Sequence, residues 1–193
     1  MNNFAAACFS FVLRILRRVK LLRLLFLSFL LTLSALVSTE ANPYAVTHLR
    51  RQYQQAAANK EAGEKFYQLM AAYTKQDAVV LAYKAAAEAI RARDASMFNK
   101  LTYVQNASKL FEQAVKLDSD NAEIRFLRLS VESNLPGFLG LSPHVEEDRQ
   151  FLVSTLLRHP NSGLDAESFG LVRTFLVDRG HVSDAEAQKL RQL

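Results

Sequence analysis

Between Leu101 and Leu117, the residues Leu101, Val104, Ser108, Phe111 and Val115 return at steps of three, four, three and four, while Thr102, Gln105, Lys109, Gln113 and Lys116 lie opposite them. Only a helix of 3.6 residues per turn gathers such positions into one stripe. Little in the chain interrupts this rhythm, because its 193 residues include just 6 Gly and 4 Pro. Turn-rich all-β folds and low-complexity disorder need far more of both. The expectation is therefore an all-α fold of seven or eight helices, built as helical hairpins.

The same periodicity sets the other elements. Residues 44–58 carry a partial stripe (Tyr44, Val46, Leu49, Tyr53) that fits a first helix or a loosely docked arm. Phe66, Leu69, Met70 and Tyr73 predict a helix over 60–73. Asp77 is an expected N-cap for a segment running to about Arg93, whose Ala82, Ala85, Ala86 and Ala89 let another helix approach closely. Asp118-Ser119-Asp120-Asn121 reads as a turn before a helix over 122–134, with Ile124, Leu127 and Val131 on one face and an Arg128–Glu132 pair on another. Pro136 and Gly137 end that helix, and Gly140 is placed for positive φ. Ser142-Pro143 suggests a helix start with Pro at the first position, running to His159, and a further helix around Phe169, Val172 and Leu176 stops near Gly180. Ser183 and Glu186 fit a capping box.

Charge separates the first 41 residues from the rest. They hold five cations (Arg14, Arg17, Arg18, Lys20, Arg23) and one anion (Glu40), whereas residues 42–193 are nearly balanced, with 19 cations and 18 anions. The basic stretch precedes an apolar run from Leu24 to Val37, too short to cross a bilayer comfortably, and then small residues at Thr39 and Ala41. This order predicts a signal peptide over 1–41, cleaved after Ala41. The other reading is an uncleaved anchor, which would be the chain's only membrane attachment. Either places a single domain of residues 42–193 outside the cytoplasm, in the periplasm or cell envelope or secreted. Cys8 precedes the apolar run, so the exported part holds no cysteine and no disulfide, thiol nucleophile or thiolate metal site.

The stretch from Glu88 to Ser119 resembles one tetratricopeptide repeat, with Ala95 and Phe98 in its first helix, Ala107, Phe111 and Ala114 in its second, and Lys116-Leu117-Asp118 leading into a turn. Ser119 stands where that family usually has Pro, and a shift of about 34 residues either way gives no second clear copy. The run Asn121 to Arg128, with Pro136, Phe138-Leu139-Gly140 and Glu146-Glu147-Asp148, looks like sequences of uncharacterised exported bacterial helical proteins. The repeat likeness implies that the hairpins stack as a short right-handed array and present a helical groove that binds a protein or peptide.

No phosphate loop, HExxH pair or nucleophile elbow is present, and no catalytic, cofactor-binding or metal-ligating residue is assigned. His144, Glu147 and Asp148 share a helix face, but a solvated first turn whose acids complement the helix dipole is preferred to a metal site. Arg50-Arg51 and Arg91 with Arg93 are too local for a nucleic-acid surface. The most interesting residues are Phe138, Leu139 and Leu141, a candidate interaction loop that would otherwise fold back over the open end of the helices. Tyr83, Lys84 and Asn106 are expected to be exposed and able to line a groove. The leading expectation is thus a non-enzymatic binding or scaffold module. The alternatives are an enzyme or small-ligand carrier with a pocket at a helix junction, and a membrane-tethered structural protein.

Overall fold

Most helices begin where a short polar side chain takes up backbone N–H groups that the first turn leaves unpaired. Asn59 caps α2 (Lys60–Ala71) by accepting from Ala62 N, and Asp77 caps α3 (Ala78–Asp94) by accepting from Val80 N. Asn121 serves α5 (Ala122–Glu132) through the N–H groups of Glu123 and Ile124, and Asp165 serves α7 (Ala166–Asp178) through Ser168 N. Ser183 and Glu186 complete the expected capping box of α8 (Asp184–Arg191). Three helices start without such a bond: α1 (Val46–Ala58), α4 (Met97–Leu117) and α6 (Val145–Leu156). A single 3₁₀ turn, Gly137–Leu139, follows α5. This computed structural model describes residues 42–193, of which Pro43–Leu193 form one compact unit. The fold is all-α, with eight α-helices and no strand among the described residues. The leader expected over 1–41, with Cys8, lies outside them.

Consecutive helices pack on one another, and α1 also reaches α3 and α3 reaches α5, as hairpins stacked side by side require. The closest pair is α3 with α4. Ala82, Ala85 and Ala86 on α3 and Ala107 and Ala114 on α4 are all buried, and Phe111 shares one core with all of them but Ala107. The small side chains bring two backbones together.

The hairpin differs in register from the expected repeat. The chain turns at Ala95-Ser96, so its first helix is Ala78–Asp94, and Ala95 lies at the break. Phe98, placed by the likeness inside the first helix, sits in the first turn of α4 and is 94% exposed. The sequence pattern falters over 93–100 because a helix ends and another begins there. Both boundaries of α6 also differ. The helix expected from Pro143 begins at Val145, because the Ser142 hydroxyl turns back to donate to the Glu132 carbonyl. It ends at Leu156 rather than His159.

Helix α5 organises the unit. Ile124 and Leu127 join a core built with α1, α2, α3 and α4, while Ala122, Phe126 and Leu129 join a second core with α6, α7 and α8. A helix with apolar groups on two sides must be covered on both. Three of its four charged residues, Arg125, Arg128 and Glu132, are buried in the remaining seam. Arg128 does not pair with Glu132. It binds Asp148 of α6 through Nε at 2.6 Å and Nη2 at 2.7 Å, and Glu132 instead accepts from the His144 backbone N–H and contacts its ring Nδ1 at 2.9 Å.

Candidate functional site

A cleft opens beside α5 where α1, α3 and α7 meet it, and its polar groups come from residues far apart in sequence. Arg50 lies on the second turn of α1 and is 6% exposed. Its guanidinium makes a two-pronged bond to Glu123 in the first turn of α5, with Nε to Oε1 at 3.2 Å and Nη2 to Oε2 at 3.0 Å. Asp165 and Glu167, at the start of α7, approach the same guanidinium at 3.4 and 3.6 Å. The Tyr83 hydroxyl, from α3, donates to Glu123 Oε1. Burial works against the Arg50 charge, but the Glu123 bonds and the surrounding carboxylates outweigh it and hold its pKa above the ordinary value. Burial, then the Glu123 charge, push the Tyr83 phenol well up. Tyr83 is therefore a neutral donor throughout the physiological range. Its ring is 1% exposed, which corrects its assignment to an exposed groove.

Above this polar floor the walls are apolar. Tyr53, Ala57, Phe126, Leu164, Leu171 and Val172 supply most of the lining of a cavity of about 260 Å³, with Arg50, Tyr83 and Glu123 at the base and Gln54 and Ser168 as the other polar residues along it. Tyr53 completes its own bonding within the wall: Ser130 Oγ donates to the Leu127 carbonyl at 2.8 Å and lies 3.1 Å from the Tyr53 hydroxyl, which donates to it. The cavity thus presents carbon surface, and the polar groups beneath it are bonded to one another.

The other residues singled out in the sequence fall elsewhere. Phe138 is 88% exposed, so its ring does not cover the end of the helices, while Leu139 and Leu141 are half-buried. Lys84 donates to the Tyr73 carbonyl at 2.6 Å, and Asn106 reaches Glu88 at 3.4 Å. The first turn of α6 is solvated at Glu146 and Glu147 but not at Asp148. Asp148 is 0% exposed and is held by Arg125 and Arg128, and Glu147 also binds Arg125. The acids complement arginines on α5 as well as the helix start.

Sequence reasoning did not bring Arg50, Glu123 and Asp165 together. The Arg50 and Glu123 positions are 73 residues apart, and no local motif joins them. A signal was available only for the neighbouring α5–α6 seam, where Asp148 lies. Arg125 and Arg128 interrupt an apolar run that is otherwise core, and a buried arginine demands a buried acid. No protein-family model matches the chain, and no curated protein or solved structure is significantly similar to it.

Proposed function

We propose that the chain is an exported, non-enzymatic protein-binding module, and that the cleft between α1, α5 and α7 seats an apolar side chain of a protein or peptide partner. The observation that carries this reading is the combination of an apolar cavity with a polar floor already bonded to itself. Its volume of about 260 Å³ lies below the roughly 300–1,000 Å³ usual for small-molecule sites. It suits one bulky side chain better than a cofactor or a metabolite. Arg50, Glu123 and Tyr83 at its base are already engaged with one another.

The tetratricopeptide likeness supports the same reading by analogy, since the Ala107, Phe111 and Ala114 positions it marks are buried at a helix–helix seam. Export rests on the basic, apolar and small-residue order of residues 1–41. Sequencing the N-terminus of the protein from the cell envelope tests it, with a chain beginning at Asn42 as the expected result.

Binding is tested by selecting a random displayed-peptide library on the full-length purified chain. Enriched peptides should share one Leu, Ile, Met or Phe position and lose at least about tenfold in affinity for a Leu171→Gln variant, as expected when a polar group meets a buried apolar anchor. Enrichment without an apolar position, or indifference to Leu171→Gln, would overturn the reading.

A further inference from the structure

The apolar cleft continues into a hollow of opposite character. Glu123, Leu164 and Ser168 line both, and the second encloses about 290 Å³ bounded by Asp118, Asp120, Asn121 and the turn from Ser162 to Asp165. Gly163, at φ 75°, lets that turn carry Asp165 back toward α5. Among the described residues, the lining of this hollow contains four carboxylates and no basic side chain.

Neighbouring cations do not make up the difference. Arg50 is shared among Glu123, Asp165 and Glu167. Arg125 sends Nε to the Ser119 carbonyl at 3.0 Å and its other contacts to Glu147 and Asp148. Among the described residues Asp118 accepts only from Asn121 Nδ2, at 3.0 Å, and Asp120 lies 3.5 Å from the Ser119 hydroxyl. Neither joins an ion pair among the described residues. The surplus of negative charge therefore lies directly beside the apolar cavity.

We infer that the partner segment carries lysine or arginine within about three residues of its apolar anchor, so that the anchor fills the cavity while the cation lies over Asp118, Asp120 and Asp165. This rests on the protein-binding reading above and adds the chemistry of the partner. An extended segment advances about 3.5 Å per residue, so a long basic side chain two or three positions from the anchor spans adjoining hollows. The same field repels acidic segments, nucleic acid and anionic lipid surfaces, which makes it a filter as well as an attraction.

Two displayed libraries with a common apolar anchor position, one flanked by Lys and Arg and the other by Asp and Glu, are selected on the full-length chain. The basic library should be enriched about tenfold over the acidic one at low salt, as two exposed charge pairs allow. That preference should shrink in the Asp118→Asn/Asp120→Asn variant and at about 0.5 M salt. Both substitutions keep side-chain shape and leave the apolar walls intact. Equal enrichment of the two libraries, with binding still lost in Leu171→Gln, overturns the inference and leaves the protein-binding reading standing. Basic peptides that bind Leu171→Gln as well as the unaltered chain overturn both, because charge alone would then account for binding.

Discussion

Asp148 is the most demanding single residue in the protein. It is completely buried, and its two oxygens receive Arg128 Nε and Nη2 and Arg125 Nη1. Two guanidiniums against one carboxylate are tolerable there only because Glu147, 55% exposed at its side chain, adds a second charge at the mouth of the seam. Asp148→Asn keeps the shape and removes the charge, leaving both arginines undercompensated. The expected loss in urea unfolding is about 3–5 kcal/mol. Phe138 is the opposite case, since a ring already in water forfeits little when replaced. Phe138→Asp should change stability by less than about 0.5 kcal/mol, and a substantial drop in its thermal midpoint would restore the packing role that its exposure denies. The acids at the start of α6 also set a pH dependence. Hydrogen bonds from Arg149 lower the Glu146 carboxyl to about 2, and those from Arg125 lower Glu147 below its usual value. Groups with depressed pKa bind fewer protons folded than unfolded. Their stabilisation is complete above the ordinary carboxylate value of 4.5 and is lost as the pH falls through the folded values. The urea midpoint should therefore fall steadily from about pH 5 downward, and less steeply in Glu147→Gln.

At the scale of the element, two glycines inside helices separate propensity from packing. A methyl group at Gly63 on α2 would lie 2.9 Å from Ile90 Cγ2 of α3, whereas one at Gly170 on α7 would meet nothing within 4 Å. Gly170→Ala should stabilise the protein by about 0.5–1 kcal/mol through helix propensity. Gly63→Ala should yield no gain, because the contact forces the two helices apart. Equal gains for both would show that the α2–α3 crossing has room to spare. The same contrast explains what could be read from the residues beforehand. Helix positions, the caps at Asp77 and Ser183, and the inward alanines of α3 follow from local pattern, since each depends on neighbours within one or two turns. The break at Ala95-Ser96 gave only a lapse in periodicity, and the repeat likeness bridged it with the wrong register. The cleft was not legible at all. Arg50, Tyr83, Glu123 and Asp165 come from four separate stretches, and their meeting depends on how helices cross, which no single stripe encodes.

For the whole molecule, the question is whether two cores behave as one. Leu127 and Leu129 are two positions apart on α5 and both 0% exposed, yet Leu127 belongs to the core of the first four helices and Leu129 to that of the last three. The Arg50–Glu123 and Arg125–Asp148 contacts extend from the same helix into both halves. With α5 as a shared wall, neither core can lose it and stay covered, so unfolding should be a single transition. Composition supplies the probe. All six tyrosines (Tyr44, Tyr53, Tyr67, Tyr73, Tyr83 and Tyr103) lie before α5, and the chain has no Trp. Tyrosine fluorescence therefore reports on the first core, while far-ultraviolet circular dichroism reports on all the helices. Leu129→Ala removes side-chain volume only from the second core and should cost about 2–5 kcal/mol. If the halves are coupled, that substitution lowers the tyrosine-detected urea midpoint as much as the dichroism midpoint, and Leu127→Ala does the same from the other side. A tyrosine transition left in place while helix signal is lost early would mean that α6 to α8 unfold on their own. The cleft wall formed by Leu171 and Val172 would then open and close independently of the floor beneath it.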